Sequence, residues 1–347
     1  MQGRSRRYPG PWVRSAVLIG AATLPACSGG APVPLAPAQA SGWGSAGDEL
    51  RPVRFEPAAV VGATDSVLVV TWNVHVGGGD VPALIEEVRA GALSDGTPPA
   101  AFVILLQEAY RSGPDALRPG PDFDGQTLHH TPPSGRRSDI VEVAEALRLH
   151  LAYAPAEPNG RPFSDAPDED RGVAILSSHP LRGVRVLELP RERQRRVALV
   201  ATMAGMRPDG TPWELRVATA HLENRAPWSR LFDSFGPARG RQAEALVREL
   251  GDGPVVLGAD LNTWAPDFVE PALSVMARTF PDSPRATGST YSVLGVGRTL
   301  DHLLFRLGPA QRAHVAVADD RYGSDHSPVV GMVGLGRTTD VVIDGTR

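Results

Sequence analysis

The stretch Val255-Val256-Leu257-Gly258-Ala259-Asp260-Leu261-Asn262 runs from an apolar segment of strand length directly into a carboxylate and an amide two residues apart. Three aliphatic residues followed by small ones read as a strand, which delivers Asp260 and Asn262 to its edge. Taken alone, the pair would suit an Asx turn. The same arrangement recurs along the chain, however, and that recurrence decides the reading.

Val67–Trp72 ends in Asn73, Phe102–Gln107 in Glu108 and Leu215–Ala220 in His221. Leu300–Phe305 carries Asp301 at its start, and Ser324-Asp325-His326 immediately precedes Val329–Val333. Val173–Leu176 and Val197–Met203 are further strands by the same criterion. Helical spacing appears in Pro82–Leu93, in Ile140–Leu151 and in Arg241–Leu250. Clusters of Gly, Pro and Asp at 111–125, 155–170 and 281–298 read as long functional loops. Strands outnumber helices and their order is mixed. The pattern therefore suggests an α/β fold in which two mainly antiparallel sheets pack face to face with helices outside.

Composition narrows the chemistry. The chain has 347 residues and a net charge of −4, so neither wholesale disorder nor a strongly basic coat is indicated. All 35 basic residues are Arg. Without Lys there can be no Schiff base, Walker-type phosphate loop or kinase-like phosphate lysine. The single cysteine, Cys27, excludes an intramolecular disulfide and a cysteine-based zinc site.

Residues 1–14 carry Arg4, Arg6, Arg7 and Arg14 with no acid, and 15–24 form an apolar run. That run is shorter than the ~20 residues a membrane-spanning helix needs and fits the core of a signal peptide. Leu24-Pro25-Ala26-Cys27 resembles a bacterial lipobox, which implies removal of residues 1–26 and lipidation of Cys27. The exported chain would then be anchored to the cell envelope, at the outer membrane in view of Ser28, with a net charge of about −8. Residues 27–64, rich in Ala, Pro and Gly, read as a disordered tether, 65–335 as the catalytic domain and 336–347 as a polar tail.

If the strand ends converge, they form an oxygen-rich site with two imidazoles. Glu108, with Asp325 and Asn73, offers the hard ligands that Mg²⁺ prefers, with Mn²⁺ as its substitute. Asn73 and Asn262 can donate to phosphate oxygens. Asp260 suits orientation or deprotonation of an attacking water, and His326 aligned by Asp301 suits acid/base work. With no Lys and its one Cys at the leader position Cys27, the chain favours a water nucleophile, with Ser or Asp as open alternatives.

Seven motifs in order carry a resemblance: Thr71-Trp72-Asn73-Val74, Leu106-Gln107-Glu108, Gly172-Val173-Ala174-Ile175-Leu176-Ser177, Ala220-His221-Leu222-Glu223, Gly258-Ala259-Asp260-Leu261-Asn262, Leu300-Asp301-His302 and Gly323-Ser324-Asp325-His326-Ser327-Pro328-Val329. Together they resemble the endonuclease/exonuclease/phosphatase superfamily, the fold of deoxyribonuclease I. The resemblance implies a four-layer α/β sandwich with the site at one edge of the packed sheets. It implies Glu108 as principal metal ligand and Asp325 as a second metal-side carboxylate. Asn73, Asp260 and Asn262 would handle phosphate and water, Asp301 would orient His326, and His221 would be the other imidazole. In the deoxyribonuclease-like branch His221 would have a carboxylate partner, for which Glu169 or Asp170 is the candidate here.

A nuclease is the first functional reading, with Arg136-Arg137, Arg191–Arg196 and Arg225 through Arg241 as candidate phosphate contacts. The alternative is a phosphodiesterase or phosphatase acting on a lipid, headgroup or phosphorylated small molecule, although no exposed aromatic hairpin is evident from sequence. A non-catalytic binding lipoprotein is the third reading. No protein partner is inferred.

Overall fold

The computed structural model describes residues 52–57, 62–118, 135, 137–159, 167–192, 194–224, 236–264, 269–284, 286–309 and 311–336. Cys27, the signal-peptide segment, most of the expected tether and the tail beyond Gly336 lie outside the described residues, as do Arg136, Arg193 and Arg225.

A seven-stranded sheet has the order β1 (Val53–Phe55), β4 (His150–Pro158), β5 (Glu169–Ser177), β3 (Phe102–Ser112), β2 (Ser66–Asn73), β14 (Val329–Gly334), β13 (Arg312–Val317). A five-stranded sheet has the order β12 (Asp301–Arg306), β9 (Val255–Asp260), β8 (Pro212–His221), β7 (Val197–Met206), β6 (Leu181–Glu188). Each sheet contains one parallel pair, β2 with β3 and β8 with β9, and the remaining pairs are antiparallel. A separate hairpin joins β10 (Tyr291–Val293) to β11 (Val296–Arg298).

Both faces of each sheet are covered, which is why the strands read as unbroken apolar runs rather than alternating ones. In β2, Val67 and Val69 enter the layer between the sheets, against Leu199, Val217 and Val256. Leu68, Val70 and Trp72 point the other way, against Leu84, Ile85 and Val88 of α1 (Val81–Ala90) and Ile140 and Val143 of α2 (Ile140–Leu147). On the second sheet, Ala218, Ala220, Leu257 and Ala259 pack outward on Leu246 of α3 (Pro237–Leu250) and Met276 of α4 (Pro271–Thr279). The order is helix, sheet, sheet, helix: the expected four-layer sandwich.

The eight expected strands form, and several details differ from expectation. The helix read over Ile140–Leu151 stops at Leu147, where Arg148 turns left-handed at φ 53° and its N–H caps Ala144 and Glu145. The next residues, His150 and Leu151, pair with β5, so ladder pairing overrides their helical spacing. The expected loop 155–170 surrenders both ends to β4 and β5, and 281–298 contains the hairpin. β1 comes from the segment assigned to the tether and pairs with β4 through Val53–Tyr153 and Phe55–Leu151. The folded part thus reaches back into that segment.

One polar bolt crosses the apolar layer. Gln107 Nε2 donates to Thr71 Oγ1 at 3.0 Å and to Thr219 Oγ1 at 2.9 Å on the opposite sheet. Thr219 in turn donates to the Leu106 carbonyl at 3.2 Å. The sheets approach closely there because Gly258 lacks a side chain: a Cβ would lie 2.6 Å from Thr71 Cβ and 2.9 Å from Leu105 Cβ. Gly258→Ala should therefore destabilise the domain by about 1–3 kcal/mol through overpacking. The check is a lower urea midpoint at unchanged m-value; an unchanged midpoint would show that the sheets are not held this close.

Candidate active site

The C-terminal ends of the two parallel pairs meet at one edge of the sandwich. β8 and β9 run in register so that His221 lies beside Asp260, and antiparallel β12 sets Asp301 opposite Asp260 on its other side. Strand pairing alone therefore delivers an imidazole and two carboxylates in a row. From the other sheet, Asn73 Nδ2 donates to Asp260 Oδ2 at 2.9 Å, while its Oδ1 accepts from the His75 N–H at 3.0 Å. The Asn262 N–H donates to Asp260 Oδ1 at 2.9 Å.

His326 arrives on the loop before β14. Its main chain is clamped: the Trp72 indole N–H donates to the His326 carbonyl at 3.0 Å, and Ser324 Oγ, which accepts from the His326 N–H at 3.2 Å, donates to the Asn73 carbonyl at 2.7 Å. The Tyr291 ring lies 4.8 Å from the imidazole, centroid to centroid. His326 Nδ1 pairs with Asp301 Oδ2 at 2.7 Å. Burial by itself would lower the imidazolium pKa. The charge of Asp301 and its hydrogen bond, with Asp260 and Asp325 nearby, outweigh that and push it up to about 10. Burial and the neighbouring Asp301 charge raise the Asp260 carboxyl.

Glu108 stands at a β-bulge. The register of β3 on β5 shifts between Gln107 and Ala109, leaving Glu108 as the extra residue at φ 53°. A bulge re-aims its side chain out of the ladder, and a left-handed non-glycine residue costs on the order of 1–3 kcal/mol. The side chain borders a small recess with Glu157, Arg171, Arg196 and His221. Burial would raise its carboxyl, but Arg171, Arg196, His75 and His326 together hold it below the ordinary value. Asp325 has 38% of its side chain exposed, and its Oδ1 lies 3.2 Å from His75 Nδ1.

The donor set suits a hard cation. Glu108 and Asp325 supply carboxylates, and Asn73 Oδ1 retains a lone pair. Asp260, Asp301 and His326 also bring ligand atoms within 4.8 Å of one another. Asp301 Oδ1 is buried with no hydrogen-bond partner among the described residues; such an acceptor calls for a cation or a water.

Neither candidate partner of His221 reaches it. Asp170 is taken by Arg111, by the Tyr153 hydroxyl at 2.6 Å and by the Leu117 N–H at 2.8 Å, and Glu169 pairs with Arg137. His221 Nδ1 instead faces Arg196 Nη1 at 3.0 Å. Burial first, and then the charges of Arg196, His326 and Arg171, set the His221 pKa well below the usual imidazole value. Among the described arginines expected to contact a polyanion, Arg195 pairs with Glu188, Arg241 with Glu192 and Arg239 with Glu270. Arg171, bonded to Glu157 at 2.8 Å, was not among the site residues expected from sequence, whereas Arg196 belongs to the stretch expected to contact phosphate and here faces His221 instead; nothing local distinguishes a buried Arg from a solvated one.

A sequence model described as "Endonuclease/Exonuclease/phosphatase family" matches residues 70–326. The crystal structure of an endonuclease/exonuclease/phosphatase from Beutenbergia cavernae DSM 12333 is similar at a TM-score of 0.53 and 21% identity, over 78% of this chain and 72% of that one. More distant likeness extends to ANGEL2, a 2′,3′-cyclic phosphatase, at a TM-score of 0.42 and 13% identity, over 82% of this chain and 98% of that one. It extends also to truncated Caenorhabditis elegans TDP2, at a TM-score of 0.40 and 14% identity, over 78% and 97%. No curated protein matches the sequence.

The Asp301–His326 pair makes a direct prediction. In EDTA, Asp301→Asn should bring the His326 titration from about 10 down toward the ordinary imidazole value of about 6.5 or below, read from the imidazole C2–H resonance. Since the folded value lies above the unfolded one, the stability contributed by the pair is complete below about pH 6.5 and lost as pH rises through the folded value. An unshifted titration in the variant would remove Asp301 as the cause.

Proposed function

Because the chain belongs to the endonuclease/exonuclease/phosphatase family of phosphoester-hydrolysing, divalent-metal-dependent enzymes, we propose that it is a Mg²⁺-dependent phosphodiesterase acting by direct attack of water. The observation that carries this reading is the meeting of Asp260, Asn73, Asp301 and His326 in one hydrogen-bonded cluster beside Glu108.

Glu108, Asp325 and Asn73 would hold the metal. Bound there, Mg²⁺, or Mn²⁺ in its place, would supply charge to offset that of the phosphate oxygens and of the leaving oxygen. Asp260 orients the attacking water and takes its proton, a task suited to a carboxyl raised toward the working pH. His326, kept protonated by Asp301, stabilises the pentacoordinate phosphorus or protonates the leaving oxygen. Asn262, set by Asp260 and by the Leu222 carbonyl at 3.0 Å, fixes the phosphate-binding edge.

Nucleic acid is the first substrate reading. The hairpin supports it: Leu294 at its tip is 99% exposed and Val296 half-exposed, while Tyr291 at its base packs on His326 and Trp264. An apolar tip beside the reacting centre suits insertion at a base step. The engagement of Arg195, Arg239 and Arg241 in ion pairs favours the second reading, a lipid or headgroup phosphodiester, for which the same tip would enter the acyl boundary. Export and lipidation at Cys27 would hold the enzyme at the cell envelope, where either substrate can be met.

Hydrolysis of bis-p-nitrophenyl phosphate should require Mg²⁺ and stop in EDTA. His326→Ala should lower kcat by about 10²–10⁴-fold. Plasmid nicking run beside phospholipid and inositol-phosphate hydrolysis assigns the substrate, and Leu294→Ala should weaken only the activity that uses the hairpin. Absence of metal-dependent turnover on every phosphoester would sink the reading.

A further inference from the structure

Two of the imidazoles at the site, His326 and His221, are backed by groups opposite in charge. Behind His326 is the Asp301 carboxylate, whereas behind His221 is the Arg196 guanidinium. We propose that Arg196 is a positioning residue that locks His221 as the neutral imidazole protonated on Nε2, making it a permanent hydrogen-bond donor to the phosphoester and leaving proton transfer to Asp260 and His326. The proposal rests on the phosphoester reading for the identity of the acceptor, and on this chain's own geometry for the tautomer.

Arg196 Nη1 lies 3.0 Å from His221 Nδ1, and a guanidinium only donates. Nδ1 must therefore offer its lone pair, and the one proton of a neutral imidazole must sit on Nε2. An imidazolium is disfavoured as well, since its Nδ1–H would face a fixed cation.

On the far side, Asn262 Nδ2 approaches Nε2 at 2.9 Å and competes for the same role. A neutral ring has one lone pair for two donors. Arg196 prevails: it is charged and buried, whereas the neutral Asn262 amide keeps one of its two N–H groups on the Leu222 carbonyl at 3.0 Å and gives up only the weaker, uncharged bond. The Nε2–H then faces Asp260 Oδ2 at 3.5 Å. That separation is too long for a firm hydrogen bond, so the proton is not committed to Asp260 and is available to a phosphate oxygen that approaches Nε2.

Arg196 is itself held for this purpose. Its Nη2 donates to Gln194 Oε1 at 2.7 Å and lies 4.0 Å from Glu223 Oε1. Glu223 is fully buried and is anchored by the Gln194 N–H at 2.7 Å. A carboxylate is thus present in the chain of contacts behind His221, but one guanidinium removed from the ring. Among the charged groups around the imidazole, Arg196, Arg171 and His326 disfavour a second proton, whereas Asp260 at 3.5 Å and Glu108, which borders the same recess, favour one.

Long-range ¹H–¹⁵N correlation spectra of ¹⁵N-histidine-labelled protein read the tautomer directly. In the wild type, His221 should show a bare Nδ1 and a protonated Nε2, unchanged from about pH 5 to about pH 8. Arg196→Lys should retain that pattern. Arg196→Met should release it, giving mixed tautomers and a titration within that range. A wild-type His221 protonated on Nδ1, an imidazolium at neutral pH, or an Arg196→Met spectrum like the wild type overturns the proposal. Should the Met variant not fold, the wild-type and Arg196→Lys spectra still decide.

On bis-p-nitrophenyl phosphate with Mg²⁺, Arg196→Met should lower kcat by about 10²-fold, as loss of an aligned donor does, with little change in KM and partial recovery in Arg196→Lys. A change confined to KM would also overturn it. If the wild type hydrolyses no phosphoester, the functional reading fails while the spectra still test the tautomer.

Discussion

The hydrogen bond from Asn73 Nδ2 to Asp260 Oδ2 joins the last residue of β2 to the last residue of β9, across two different sheets. Everything chemical in this domain depends on those ends staying in step. Asp260 is in turn registered with His221 and Asp301 by backbone ladders, and Asn73 holds, through Ser324, the loop that carries Asp325 and His326. Behind this edge, Gln107 and Thr219 tie the sheets within an otherwise apolar layer, and Gly258 lets them approach. The site is thus a consequence of sheet packing more than of loop conformation. Strain appears where the sheet alone cannot aim a side chain, at the left-handed Glu108 and Asn262.

The electrostatics divide the same edge into two functions. On one side, Asp301 gathers positive charge onto His326; on the other, Arg196 and Arg171 keep it off His221 and hold Glu108 ionised. Two chemically identical side chains are separated in protonation state by what stands behind each ring. A site so divided can present a cationic group and a neutral donor to one phosphate at one pH.

Much of this was legible in the residues. Continuous apolar runs such as Val67–Trp72 identify strands covered on both faces, and the polar residue ending each run marks the edge where the site lies. The covalent spacing of Asp260 and Asn262, or of Asp325 and His326, survives folding because neighbours in sequence remain neighbours in space. Partners that meet only through tertiary packing were not legible. Arg196 immediately precedes β7 and His221 ends the neighbouring β8, and an Arg flanking a strand reads as a surface or phosphate-contacting residue until its burial is known. β1 and the hairpin were missed for a related reason: three-residue strands have too little pattern, and their pairing partner supplies the evidence of order. The helix end at Leu147 was set by the ladder that His150 and Leu151 join, against their local spacing.

A divalent-metal site at these converging strand ends would be built on the bulged Glu108. Titrating Mn²⁺ into the protein and following the free ion by electron paramagnetic resonance tests it without reliance on any substrate. Saturable binding in the wild type that is lost in Glu108→Gln, with circular dichroism unchanged, is the predicted result. Mn²⁺ binding of equal affinity in Glu108→Gln would contradict it.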